Sequence, residues 1–197
     1  GIFSKTLSTL VVSLSVAACQ PPQDACPATT GVTLQILGSG GPIADDGRAS
    51  SAYLVWVDGK ARVMIDAGGG SFLRFGEAGA RFEDLDFIGL SHLHTDHSAG
   101  LPALLKSGNF SDRDRPLPIA GPDGDGVFPG VDDFLTSVLD QDSGAYAYLS
   151  GFLDGSGNTP MLTTLEVAAG DAVSIWSGDA DRGSIARGRL CPCCTPQ

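Results

Sequence analysis

Ser91-His92-Leu93-His94-Thr95-Asp96-His97-Ser98-Ala99-Gly100 gathers all three histidines of the 197-residue chain into six positions, with a carboxylate among them. Imidazole and carboxylate hold zinc or another borderline divalent ion while leaving a position open for water, whereas closed structural zinc sites lean on thiolates. The stretch points to a metal-ligand cluster and to hydrolytic chemistry. The competing reading, surface or core histidines that bind nothing, leaves this grouping unexplained.

The spacing argues about local structure as well. A helical metalloprotease motif places two histidines at i and i+4, but here they fall at i, i+2 and i+5, which no single helical face carries. A strand end followed by a loop does better. Leu85 to Leu90 suits a short buried strand. After the block, Ser98 reads as the cap of a helix containing Leu101, Ala103, Leu104 and Leu105, with Pro102 in its first turn and Gly108 at its end.

Outward from this block, Val32 to Leu37, Ala52 to Val57 and Ala61 to Ile65 read as strands, the last two joined by an Asp58-Gly59 turn. Helical stretches are expected near Ser71 to Gly79 and Leu101 to Ser107. Val131, Phe134, Leu135 and Val138 have the spacing of an amphipathic helix packed on a core. Gly38-Ser39-Gly40-Gly41 lacks the Lys-Ser/Thr of a phosphate loop and is read as a turn that brings the first strand's end close to the metal site. Asp123-Gly124-Asp125-Gly126 lacks the closing glutamate of a calcium loop and reads as a surface turn. Gly144 to Gly157, with Tyr146, Tyr148 and Phe152 among glycines, is either a substrate-facing loop or a covered hairpin. Hairpins followed by βα units indicate an α/β fold in one globular domain.

The block His92-x-His94-x-Asp96-His97, with Gly100 and Leu101 after it, resembles the signature of the metallo-β-lactamase fold of metallohydrolases. Leu37-Gly38-Ser39-Gly40-Gly41-Pro42, Arg48-Ala49-Ser50-Ser51 and Met64-Ile65-Asp66-Ala67-Gly68 resemble the opening of its ribonuclease Z-like branch, as do Arg115-Pro116-Leu117-Pro118-Ile119 and Gly121-Pro122 downstream. The resemblance implies an αββα sandwich, of which residues 31–186 supply mainly the N-terminal half. It implies two divalent metal ions, zinc or else manganese or iron, with His92 and His94 on the first and Asp96 and His97 on the second. Such ions lie about 3.5 to 4 Å apart and share an attacking hydroxide whose pKa falls towards about 7. Asp96 is also the candidate catalytic proton carrier, and Asp66 a supporting residue rather than a ligand.

No histidine follows His97, so the later ligands of a complete member are not in this sequence. Residues 187–197 change composition abruptly and end in a Cys191-Pro192-Cys193-Cys194 cluster, which reads as an aberrant tail rather than a four-thiolate site. Two functions follow as expectations. One is a metal-dependent hydrolase of a phosphodiester or related small ester, acting through a metal-activated hydroxide. The other is an inactive, truncated remnant that binds metal weakly, with little or no turnover in the chain as written.

The N-terminus carries an address. Lys5 followed by apolar Leu7 to Ala18 has the order of a secretory signal, too short to span a bilayer. Val16-Ala17-Ala18-Cys19 resembles a bacterial lipobox, which implies a signal peptide over 1–18, lipidation at Cys19 and a tether over 19–30. The expectation is an exported lipoprotein, anchored in the membrane by its N-terminal lipid and facing the periplasm or cell exterior. Cys26 is expected to form no disulfide. The formal net charge of −11, the lack of any Lys/Arg run and export together favour a small-molecule ester as substrate, with nucleic acid an unlikely partner.

Overall fold

Residues 30–168 are described by a computed structural model; the signal, Cys19, Cys26 and tail expectations lie outside the described residues. Three strands, β1 (Val32–Gly38), β2 (Ala52–Val57) and β3 (Lys60–Ile65), form an antiparallel meander. Asp58 (φ 48°) and Gly59 (φ 77°) turn the β2–β3 hairpin. Positive φ at both central positions is what a two-residue turn of this hand requires, and Asp-Gly supplies it with little strain.

The sheet then changes character. β4 (Phe87–Gly89), β5 (Leu117–Pro122) and β6 (Leu162–Val167) add in parallel, giving six strands in sequence order. Parallel neighbours need crossovers. These are α1 (Ser71–Glu77), then α2 (Thr95–Ser98) with α3 (Leu101–Gly108), then α4 (Val131–Leu139) with α5 (Gly151–Asp154). The mixed α/β architecture agrees with the expected fold class. Among the described residues no helix is long and apolar enough to cross a membrane.

The period-2 alternation of the strands divides their side chains between two faces. One face, including Leu54, Met64, Ile88 and Ile119, packs with Phe75 of α1, Leu104 and Leu105 of α3, Leu135 of α4 and Phe152 of α5 in a single core. The opposite face gathers Val63, Phe87 and Ala120 with Val55, Ile65 and Val167 at their edge. Val32, Leu34 and Ile36 are exposed on β1.

Two local expectations are corrected. Ser98 does not cap α3. The histidine block itself winds into the short α2, and the Ser98 hydroxyl bonds back to the carbonyls of Leu93 (3.1 Å) and His94 (3.0 Å); α3 follows Gly100, with Pro102 in its first turn. Residues 144–157 form no hairpin. They make a 3-10 turn over Ala147–Leu149 and then α5, with Leu149 and Phe152 anchored in the core and Tyr146 and Tyr148 left outside.

Arg113 is buried where the entries to β4 and β5 meet. Its guanidinium donates to the carbonyls of Leu85 (2.5 Å), Pro116 (2.6 Å) and Arg115 (2.8 Å). Removing the donor takes a hydrogen bond from each of these carbonyls, leaving Leu85 with Arg115 alone, and each lost bond is worth about 1 kcal/mol or more. Arg113→Met is therefore expected to lose about 2 to 4 kcal/mol in urea unfolding; an unchanged midpoint would contradict this role.

Candidate metal centre

β3 and β4 end side by side, and the loops that leave them cross. Asp66, the residue after β3, takes a left-handed backbone (φ 57°) and is 3% exposed. Its amide donates to the Gly89 carbonyl (2.8 Å), which extends the parallel pairing by one step. Its carboxylate then accepts from the Ser91 amide (2.7 Å), the Ser91 hydroxyl (2.9 Å) and His97 Nδ1 (2.8 Å). One buried carboxylate thus ties both ends of the histidine block to the end of β3.

Backbone contacts close the same crossing. The Ala67 amide donates to the His97 carbonyl (2.7 Å), and the Gly100 amide donates to the Ala67 carbonyl (2.7 Å). A Cβ on Gly68 would collide with the Asp96 carbonyl, and one on Gly100 would strike the Gly68 carbonyl and the Ser71 hydroxyl. Glycine at 68 and 100 is a matter of close approach, since neither has a positive φ.

The hydrogen bond to Asp66 assigns the proton of His97. A carboxylate only accepts, so Nδ1 carries the hydrogen of that bond. His97 Nε2 lies 3.4 Å from Asp96 Oδ2. A carboxylate on the far nitrogen is also how a metal-ligating histidine is normally oriented. His92 lies against His97 (ring centroids 4.0 Å apart) and His94 (4.7 Å). Burial first, then the neighbouring His97 and His94 rings, push the His92 imidazole below its ordinary range. Neutral imidazole is the form that binds metal.

All four expected ligands and Asp66 are therefore brought together. The donor chemistry fits a divalent ion: imidazole rings, one of them oriented by a carboxylate on its far nitrogen, and an adjacent carboxylate. The geometry is less complete. Among the described residues no three His, Cys, Asp or Glu side chains converge as a ligand set, because the imidazoles pack ring against ring and His97 Nε2 faces Asp96.

Two residues received no role from the sequence. Ser91 bonds to Asp66 twice, and its hydroxyl lies 3.2 Å from His92 Nδ1 and 3.3 Å from His97 Nδ1. Its position at the head of the block was the available signal. Phe128, from the loop after β5, stands edge-on to His94 at 6.3 Å, and nothing local in the sequence places it there. The neighbouring Asp125 is the surface turn expected, its carboxylate accepting from the Val127 (2.9 Å) and Phe128 (2.7 Å) amides.

Residues 45–135 match the Metallo-beta-lactamase superfamily. A protein named Ribonuclease Z from Mycolicibacterium gilvum is 31% identical over 162 residues, covering 78% of this chain and 54% of that protein. Ribonuclease Z from Haloferax volcanii is 40% identical over 88 residues, covering 45% of this chain and 27% of that protein. The chain thus spans between 27% and 54% of the length of these two curated relatives. Among solved structures, the short form of human tRNase Z is similar with a TM-score of 0.50 at 23% identity, over 68% of this chain and 45% of that one, a likeness of fold.

The names of these relatives overturn the expectation of a small-molecule ester substrate with nucleic acid unlikely. That expectation leaned on a net charge summed over the whole chain, and such a sum does not report the field at a metal site or a groove.

Asp66→Asn keeps the shape of the side chain but loses the charged acceptor for His97 Nδ1–H. Zinc affinity measured by titration calorimetry is expected to fall about 10- to 100-fold. Equal affinity in the variant would contradict the orienting role.

Proposed function

Because the chain carries a metallo-β-lactamase domain with ribonuclease Z relatives, we propose that it is a metal-dependent hydrolase acting on RNA phosphodiester bonds. The observation that carries this reading is the Asp66 carboxylate holding His97 with Nε2 turned inward beside Asp96 and the His92 and His94 rings. Proteins of this superfamily generally bind divalent metal ions, often zinc.

His92 and His94 would hold one ion, and Asp96 and His97 a second; zinc suits these donors, as do manganese and iron. Divalent ions bound there would lower the pKa of an attacking water and neutralise phosphate charge. The remaining chemistry belongs to the chain. Asp66 retains the proton on His97 Nδ1, so that Nε2 is the nitrogen offered to a bound ion. Asp96, at the first turn of α2, is the carboxylate placed to accept the proton of the attacking water at Oδ2. Ser91 keeps the Asp66 carboxylate satisfied while this happens, and the Phe128 ring stands edge-on to His94.

A second reading follows from the His92 and His94 pair taken alone. A catalytic zinc uses three protein ligands, so a chain left with two would hold one ion weakly and turn nothing over.

One assay separates the two. The purified chain, loaded with Zn²⁺ or Mn²⁺, is incubated with an end-labelled tRNA transcript and the products are resolved on a gel. Cleavage is expected to disappear with chelator, return with metal, and fall by about 10² to 10⁴ in Asp96→Asn. A wild-type chain no faster than Asp96→Asn, with metal that a weak chelator strips, would leave the second reading.

A further inference from the structure

The outer side of α3 makes a surface that the metal site does not account for. α3 buries Leu101, Leu104 and Leu105, so the helical period turns Pro102, Ala103 and Lys106 the other way. Around them stand Phe72 from α1, Phe110 just past the end of α3, and Tyr146 and Tyr148 from the segment before α5. All four rings are exposed, Phe110 by 78% and Tyr148 by 67%. Lys106 Nζ lies 4.8 Å from the centre of the Phe110 ring and 5.3 Å from that of Tyr148, and Tyr146 meets Tyr148 edge to face at 6.2 Å.

The chemistry of this groove narrows its ligand. Exposed aromatic rings clustered over a floor of small residues offer flat π faces at an open, contiguous apolar surface. The chain carries 23 Asp and Glu against 12 Lys and Arg, yet the described residues lining the groove include Lys106 and no carboxylate. A cage for a cationic ligand is disfavoured, because the ammonium of Lys106 already sits over two of the rings. A purely apolar partner is disfavoured too, since it would strip water from that ammonium without pairing it. Flat rings beside a single cation suit a ligand that alternates planar bases with phosphates. The groove also reaches Ala99, two residues beyond His97 in sequence.

We infer that the groove between α3, Phe72 and the Tyr146–Tyr148 segment is a docking platform for single-stranded RNA, with bases stacked on Phe110 and Tyr148 and a phosphate on Lys106. The inference rests on the RNA hydrolase reading and assigns to that activity a binding surface outside the metal site.

The test is fluorescence anisotropy with a 5′-labelled single-stranded RNA of about ten nucleotides, in chelator so that no cleavage intervenes. The wild-type chain is expected to bind; Phe110→Ala with Tyr148→Ala together weaken binding by about tenfold or more, given the usual cost of losing a stacked base. Phe110→Tyr with Tyr148→Phe preserves the stacking faces and restores binding. Lys106→Gln lowers the slope of log affinity against log salt by about 0.7, the loss of one phosphate contact on a single strand. Lack of binding by the wild-type chain, or equal binding by the double alanine variant, overturns the platform. So does sedimentation showing that the wild-type chain self-associates through this face while RNA binding is unmoved by its loss. Ring-dependent binding without cleavage in the metal-loaded assay supports the platform and counts against the hydrolase reading alone. Cleavage with ring-independent binding does the reverse.

Discussion

The Asp66 carboxylate is the constraint on which the site depends. Three donors converge on it, the Ser91 amide, the Ser91 hydroxyl and His97 Nδ1, and each comes from the segment after β4 whereas Asp66 directly follows β3. A buried carboxylate is costly unless fully hydrogen-bonded, and each bond to a charged acceptor is worth more than a neutral one. Satisfying this one group therefore holds two loops in register. The left-handed backbone at Asp66 is the local strain that this arrangement carries.

Everything else at the site follows from that crossing. Gly68 and Gly100 are small because the two loops press backbone to backbone. The Ala67 amide and carbonyl are used on both sides of it, to His97 and to Gly100. Burial, then the closely packed His97 and His94 rings, push the His92 imidazole below its ordinary range. The architecture supplies the position: a parallel sheet presents its strand ends to a common edge, and the crossover from β4 to β5 starts there.

Much of this was legible in the sequence wherever the signal was local. Asp58-Gly59 named its hairpin because only a few residues accept two positive φ values in succession. The histidine block named its own chemistry through residue type and spacing. The resemblance singles out Asp66 as a supporting residue, and the geometry joins its carboxylate to Ser91 and His97. What escaped depended on segments meeting in space. Ser91 acquires its role only when β3 and β4 lie side by side. Arg113 reads as a surface charge until the entries to two strands surround it with carbonyls. Ser98 has the look of a helix cap, but the block before it is itself helical and captures the hydroxyl. The exclusion of nucleic acid failed for a related reason: net charge is additive along a chain, whereas recognition reads the few side chains that line one groove.

The central claim is that Asp66 holds a proton on His97 Nδ1 and so leaves Nε2 as the nitrogen that takes a metal. Two-dimensional ¹H–¹⁵N correlation of the histidine side chains, recorded at neutral pH before and after addition of Zn²⁺, tests it directly. The expected result is a His97 that carries a proton on Nδ1 before and after zinc, with the Nε2 resonance moving when zinc is added. A His97 with no proton on Nδ1, or an Nε2 resonance indifferent to zinc, would contradict it.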